Sequence, residues 1–465
     1  AASNRWPSLL GPKRGDGSGP CYGRGRPRHP APIGAITHFD LPKCILRTRV
    51  IAHTMDWDHL AEEQGQKYFA AWLQLLLKES PALPLKLASQ HRPGDARATS
   101  VSDFMTGAYN ISCMVTFDDG FRALVRFPIL GRSRFRTEKS RNEISVMRFL
   151  SQKTNIPVPH VLGAGRWGCG PYIVMAFLEG TLLSHRLKSS LSSDPTISGS
   201  DIEHALRGMA DIILELSKPI FPRIGAVVEE PRAWRVASRP LSLNMNELYQ
   251  RNDVIEDELD CRKRFIARCL FRKIARQFPM KSDYYRLYCD DLRPSNVLVL
   301  GQDLTVTGVI DWEYTYVAPV EFTYAAPWWL LFEAPEDWES DLNQFLHRYT
   351  PRLHVFSNIL RSREDKQIQM QTMKESQRLS NIMAHSMENG TFWFCLAARK
   401  GYMFDDIYWT FLDKRYFGDG SVEDRISLLS KEELDELERI VPLKMQQQKE
   451  KILEDHLTYD EFVDM

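Results

Sequence analysis

The sequence predicts an α+β chain of two unequal lobes: a small one made mostly of strands around one key helix, and a larger one that is mainly helical. Three observations predict it. Asn110 to Phe117 and Phe121 to Phe127 flank Asp118-Asp119-Gly120, which reads as a β-hairpin with a glycine-containing turn. A helix from about Thr137 to Lys153 follows, then a Pro157/Pro159 break and the apolar strand Tyr172 to Leu178. After Gly180 the pattern is mainly helical, interrupted only by the short strands Val297 to Leu300 and Val306 to Ile310.

Four segments follow in order. Residues 1–55 are basic and rich in glycine and proline. The first 50 hold seven of each, with nine Lys/Arg against two acids. Such a composition buries too little apolar surface to offset chain ordering, so disorder is expected. Prolines also argue against an amphipathic mitochondrial address there. Residues 56–95 are expected to be an N-terminal helix and linker, with Tyr68, Phe69, Trp72, Leu73, Leu76 and Leu77 at helical spacing. His53, Asp56, Asp58 and His59 stand where capping residues belong, a better account of them than a metal site. Residues 96–178 are expected to be the small, nucleotide-binding lobe, and 179–465 the helical lobe.

Composition excludes several classes. Lys+Arg and Asp+Glu both total 60 in 465 residues, so no net field steers the chain to nucleic acid or to an anionic membrane. No apolar run reaches the roughly 18 residues of a membrane span. The eight cysteines form no C-x-x-C pair and no regular spacing, and read as free thiols in a reducing compartment. A cytoplasmic location is expected, which leaves the sequons at Asn110 and Asn389 little weight.

The most informative stretch is Tyr288-Cys289-Asp290-Asp291-Leu292-Arg293-Pro294-Ser295-Asn296, followed by two strands and Asp311-Trp312-Glu313. Phosphoryl transfer needs a carboxylate to orient the acceptor hydroxyl, oxygen ligands for magnesium, and a cation near the γ-phosphate. The D-x-x-x-x-N spacing makes Asp291 the candidate base and Asn296 a candidate metal ligand on a loop stiffened by Pro294. The following hairpin returns the chain so that Asp311 meets the same metal. Arg293, two residues after the base, is the candidate cation.

DDLRPSNVLV followed by GVIDWEY resembles the catalytic and metal-binding motifs of the aminoglycoside phosphotransferase family, most closely its fungal branch. Tyr324 to Glu333 and Glu388 to Lys400 are also similar to that branch. The resemblance covers roughly residues 56 to 455. It implies a protein-kinase-like two-lobed fold and transfer of the γ-phosphate of ATP, with Mg2+, to a hydroxyl of a small molecule. Asp291 would be the base, and Asn296 and Asp311 the magnesium ligands. In the family the first motif usually carries His where this chain has Cys289, a residue that supports the loop. The family's strand lysine, which binds the α/β-phosphates and pairs with a helix glutamate, is replaced by Arg126 in Ala123-Leu124-Val125-Arg126-Phe127, with Glu143 as its natural partner. Gly107 occupies the place of a phosphate-covering turn. Met175 to Leu178, including Phe177, would form the hinge that holds adenine.

Two rival expectations remain. A protein kinase would explain D-L-R-P-S-N and the triplet Ala334-Pro335-Glu336, but D-F-G and a full G-x-G-x-x-G are missing. A pseudokinase-like nucleotide-binding or scaffold protein with little turnover is favoured by Arg126 and Cys289, and opposed by the intact Asp291, Asn296 and Asp311.

Overall fold

The computed structural model describes residues 57–191, 199–248, 255–278, 283–333, 335, 338 and 342–450. The segment 1–55, the side chains of the His53/Asp56/Asp58/His59 cluster, and Ala334 and Glu336 of the A-P-E triplet lie outside the described residues.

Helix α1 (Trp57–Glu79) buries Phe69, Trp72 and Leu76, spaced three and four residues apart, in one core with the strands behind it. Its apolar stripe is narrower than expected, because Tyr68 and Leu77 are 52% and 46% exposed. Helix α2 (Ala82–His91) is a second helix in the stretch 56–95, where one helix and a linker are expected. Pro84 lies in its first turn, where no backbone N–H is needed.

An antiparallel sheet follows: β1 (Ala98–Val101), β2 (Met105–Thr106), β3 (Asn110–Phe117), β4 (Arg122–Pro128), β5 (Val161–Trp167) and β6 (Gly170–Ala176). The strand order is β1-β3-β4-β6-β5, with β2 on β3. Ile111, Cys113, Val115 and Phe117 alternate inward along β3, and Gly120 turns into β4 at a φ of +84° that favours glycine. Between β4 and β5 runs α3 (Arg136–Lys153). Its second half buries Val146, Met147, Phe149 and Leu150. Its first half buries Glu138, Lys139, Ser140, Asn142 and Glu143. A helix that turns charges inward marks a polar interior.

The large lobe begins with β7 (Thr181–Leu182), α4 (Leu183–Leu191), α5 (Gly199–Ser217), the hairpin β8 (Ala226–Glu230) and β9 (Ala233–Ser238), α6 (Leu243–Leu248) and α7 (Glu258–Gln277). Then come β10 (Tyr285–Cys289), β11 (Val297–Leu300), β12 (Thr305–Val309) and β13 (Thr315–Pro319). The expectation of only two strands beyond Gly180 is therefore corrected. β11 and β12 are there, but so are five others. β10 pairs with β13 and β7 with β11 over two to five residues, too short for a period to show in the sequence. Helices Leu342–Gln369, Thr391–Arg399 and Lys431–Glu450 complete the lobe. Val146, Leu150 and Met175 share its core, which ties α3 and β6 to it. No described helix is long and apolar enough to cross a membrane.

Candidate active site

Two strand pairs place the motif residues. β10 ends at Cys289 opposite Thr315 of β13, and β11 starts at Val297 opposite Val309 of β12. The loops 290–296 and 310–314 therefore open side by side. They are stitched together by Asp290 N–H to Tyr314 O (3.1 Å) and Ile310 N–H to Asn296 O (2.9 Å). Cys289 Sγ donates to Asp311 O at 3.9 Å, so the residue in the usual His position braces the second loop. Burial pushes its thiol far above the ordinary range, which suits a brace and not a nucleophile.

The adjacent aspartates face different surroundings. Asp290 is buried, and its Oδ2 and Oδ1 accept from Leu243 N–H (2.9 Å) and the Tyr316 hydroxyl (3.2 Å). Asp291 keeps a side-chain exposure of 21%. Its Oδ2 accepts from Asn296 Nδ2 at 3.0 Å, and Arg293 Nε lies 3.0 Å from its Oδ1. Asn296 Nδ2 also donates to Asp291 O at 2.8 Å, which directs the amide nitrogen to the loop and leaves the side-chain oxygen for a cation. Burial raises the Asp291 carboxyl above its ordinary value, with Arg293 pulling it back and Asp311 adding to the rise.

Arg126 on β4 reaches across to α3 and to the second loop. Its Nη1 donates to Glu143 Oε1 at 2.6 Å, its Nη2 contacts Asp311 Oδ1, and Glu313 Oε2 lies 3.5 Å away. The pairing of Arg126 with Glu143 is the one their inward positions require. Beside it Lys139 Nζ donates to Glu313 Oε2 (2.5 Å) and to Asn110 Oδ1 (2.9 Å), while Asn110 Nδ2 donates to Glu313 Oε2 (2.8 Å). Asn110 is buried by this role, so its sequon is closed to glycans. Burial alone would lower Arg126, but Asp311, Glu143 and Glu313 hold it protonated. Burial raises Glu143 toward neutrality, a rise Arg126 offsets only in part. For Glu313 burial works upward, yet Lys139 and Arg126 keep the carboxyl low.

Glu143, Asp311 and Glu313 are three carboxylates around two cations. The side-chain oxygens of Asp311 and Asn296 are donors that a hard divalent ion prefers. Magnesium completes its shell with water and substrate phosphates, so one or two protein groups suffice. Among the described residues no group of three or more His, Cys, Asp or Glu stands ready to cage a metal. Asp311 adopts a φ of +63°, a left-handed conformation that aspartate tolerates better than most residues and that aims its side chain back at Arg126.

The remaining expected residues lie further out. Gly107 is exposed in the turn between β2 and β3, where its N–H donates to Asn110 O at 2.8 Å. It enters the site only through Asn110. Met175 is buried on β6 opposite Leu124 of β4. Phe177, just past β6, gives its N–H to Arg122 O (3.0 Å) and its ring face to the Arg122 guanidinium (4.8 Å). A base held at this segment would not find that N–H. Sequence reasoning missed Lys139, Glu313 and Asn110. The signal for the first two was there: Lys139 is four residues before Glu143 on one helix face, and Glu313 follows Asp311 by two. A cavity of about 740 Å³ between the end of α3 and the β8–β9 hairpin, walled by Phe149, Phe221 and Trp234, contains none of these residues.

This loop order, on a small antiparallel lobe joined to a helical one, belongs to a known class. Residues 106–356, more than half of the chain, match the phosphotransferase enzyme family (APH). The chain belongs to that family and has its two-lobed, kinase-like fold. A curated relative, the clavilactone A biosynthesis cluster protein Y of Ampulloclitocybe clavipes, is 26% identical over 271 residues, 49% of this chain. The match spans 63% of that protein's length. Among solved structures, the macrolide 2'-phosphotransferase MphH of Brachybacterium faecium aligns with 70% of this chain and 96% of its own, at 12% identity and a TM-score of 0.33. A Thermobifida fusca protein described as a candidate fructosamine-3-kinase aligns with 71% and 98%, at 15% identity and a TM-score of 0.35. At such scores the correspondence is loose, and the family match is what assigns the chain.

Proposed function

We propose that the protein transfers the γ-phosphate of ATP, with Mg2+, to a hydroxyl of a small molecule in the cytoplasm. The observation that carries this is the meeting of Asp291, Asn296 and Asp311 on adjoining loops, with Arg126 reaching the same place from the small lobe. Asp291 accepts a hydrogen bond from the acceptor hydroxyl, orients it for in-line attack, and takes its proton as the new P–O bond forms and the bond to ADP breaks. Arg293, beside Asp291, faces the charge of the transferring group. Asn296 and Asp311 would hold the metal, which when bound screens the phosphate charges. Arg126, positioned by Glu143, stands in for the usual lysine toward the α/β-phosphates, and its contact with Asp311 sets that carboxylate beside the place where the metal would be held. Lys139 and Asn110 fix Glu313, whose carboxylate adds to the charge that holds Arg126 in place.

A second reading, a nucleotide-binding protein with little turnover, is favoured by one observation: Arg126 is already held by Glu143 and Asp311 together. Thermal-shift titration with ATP and magnesium, followed by an ATP-consumption assay, separates the two. The proposal expects stabilisation and turnover; stabilisation alone supports the second reading.

A further inference from the structure

The cavity of about 740 Å³ between the end of α3 and the β8–β9 hairpin takes no part in the chemistry above, yet its walls are those of a receptor. Small-molecule sites typically span about 300–1,000 Å³. Aromatic rings form one wall. Phe149 on α3 meets Phe221 at 5.5 Å and Trp234 at 5.3 Å, the latter edge to face at 89°. The Trp234 indole N–H donates to Gln152 Oε1 at 3.2 Å, which fixes that ring a second time. Pro219, Pro222 and Pro231 stiffen the chain around it. The apolar surface is thus formed before any ligand arrives, and Ile220, which also lines the cavity, is left 64% exposed.

The charges around it do not balance. Glu229 and Glu230 are taken by Arg148 (3.1 Å) and Arg235 (2.7 Å), and Lys218 by Glu215, three partners that stand outside the lining. Lys153, the last residue of α3, and Arg232, in the two-residue turn between β8 and β9, line the cavity too. Among the described residues neither enters an ion pair. Aromatic walls beside two uncommitted cations favour a flat ring that carries an anion.

The same walls are bonded to the strands that carry the catalytic loops. Phe221 exchanges both backbone hydrogen bonds with Tyr285 of β10 (2.9 Å each), and Gly225 exchanges both with Val317 of β13 (3.1 and 2.8 Å). On α3, Phe149 follows Glu143 by six residues, about 9 Å along a helix. A ligand that holds the hairpin against α3 therefore steadies the elements that position Arg126, Asp291 and Asp311.

We propose that this cavity is an effector site for a small aromatic carboxylate, and that its occupancy tightens the binding of Mg-ATP. The ring packs against Phe149, Phe221 and Trp234, and the carboxylate pairs with Lys153 and Arg232. The site itself stands apart from the phosphotransferase reading; its coupling to the nucleotide rests on that reading.

The test uses the full chain in equilibrium dialysis, with 2-naphthoate as probe and uncharged 2-naphthamide beside it, each with and without saturating Mg-ATP. The acid is expected to bind more tightly than the amide and to stay bound when Mg-ATP is present. Lys153→Gln/Arg232→Gln, at two exposed positions, should weaken the acid at least ~5-fold and leave the amide unchanged. Ala233→Trp, which fills the cavity from an exposed position of β9, should abolish binding of both. Saturating 2-naphthoate should lower the Kd of Mg-ATP by about 5-fold. No binding of the acid at about 1 mM, equal binding of acid and amide, loss of the probe on adding Mg-ATP, or unchanged binding in Ala233→Trp overturns the site. An unchanged or raised Kd of Mg-ATP under saturating probe overturns the effector role. If Mg-ATP does not bind at all, the phosphotransferase reading fails with the coupling, while the comparison of acid with amide on the wild type still decides the site.

Discussion

At Asp290 both carboxylate oxygens accept hydrogen bonds from the fold itself, whereas at Asp291 they meet only groups of its own loop and keep an opening to solvent. Asp291→Asn should therefore lower kcat by roughly 100- to 10,000-fold and leave Mg-ATP binding largely intact. Asp290→Ala should retain a working base but leave Leu243 N–H and the Tyr316 hydroxyl unpaired, a loss of about 1–3 kcal/mol in a denaturation curve. The opposite ranking would move the base by one residue. As the proposed base, Asp291 also has a pH signature. Burial holds Asp291 above the ordinary 3.8, and only its deprotonated form accepts a proton, so kcat/KM should fall as pH drops through that raised value. Arg293→Gln removes the charge that pulls the carboxyl down, and the inflection should move to higher pH. An inflection that stays put in that variant would separate Arg293 from Asp291.

Strand β4 and helix α3 are where one residue does most to join elements. Arg126 touches carboxylates from α3 and from the loop after β12, so Arg126→Met leaves Glu143 and Asp311 without their cation. The expected cost is about 3–5 kcal/mol by chemical denaturation. Glu143→Gln should cost little more in that background, since the pair is already broken; additive losses would show that the two residues do not interact. The charge pair was legible because both residues point inward on amphipathic elements. The hairpin, α3, β11 and β12 were legible for the same reason: each is long enough, or sharply enough bounded by glycine and proline, to show its period. β10 and β13 were not, because five residues paired with distant chain have their identity set by the partner strand; the β8–β9 hairpin is local, but its strands of five and six residues are too short to show a period. Lys139 escaped for a related reason. A lysine in sequence reads as solvated, and only the fold reveals that it is buried.

For the molecule as a whole, a balanced net charge and a family fold leave the proposed function to the charged cluster where Arg126 and Lys139 meet Glu143, Asp311 and Glu313. Binding of ATP there should depend on the divalent ion: stabilisation by ATP in a thermal melt is expected with magnesium, lost with chelator, and weakened in Asp311→Asn. Unchanged metal dependence in that variant would take Asp311 out of the site. The central claim is phosphoryl transfer from ATP to a small hydroxyl compound by Asp291. Its most direct measurement is transfer of γ-label from ATP into a small-molecule metabolite pool by the wild type beside Asp291→Asn at matched Mg-ATP saturation. The account predicts a labelled product that the wild type forms over many turnovers and the variant all but fails to form. Equal labelling by the two, or Mg-ATP binding with no transfer by the wild type, would contradict it.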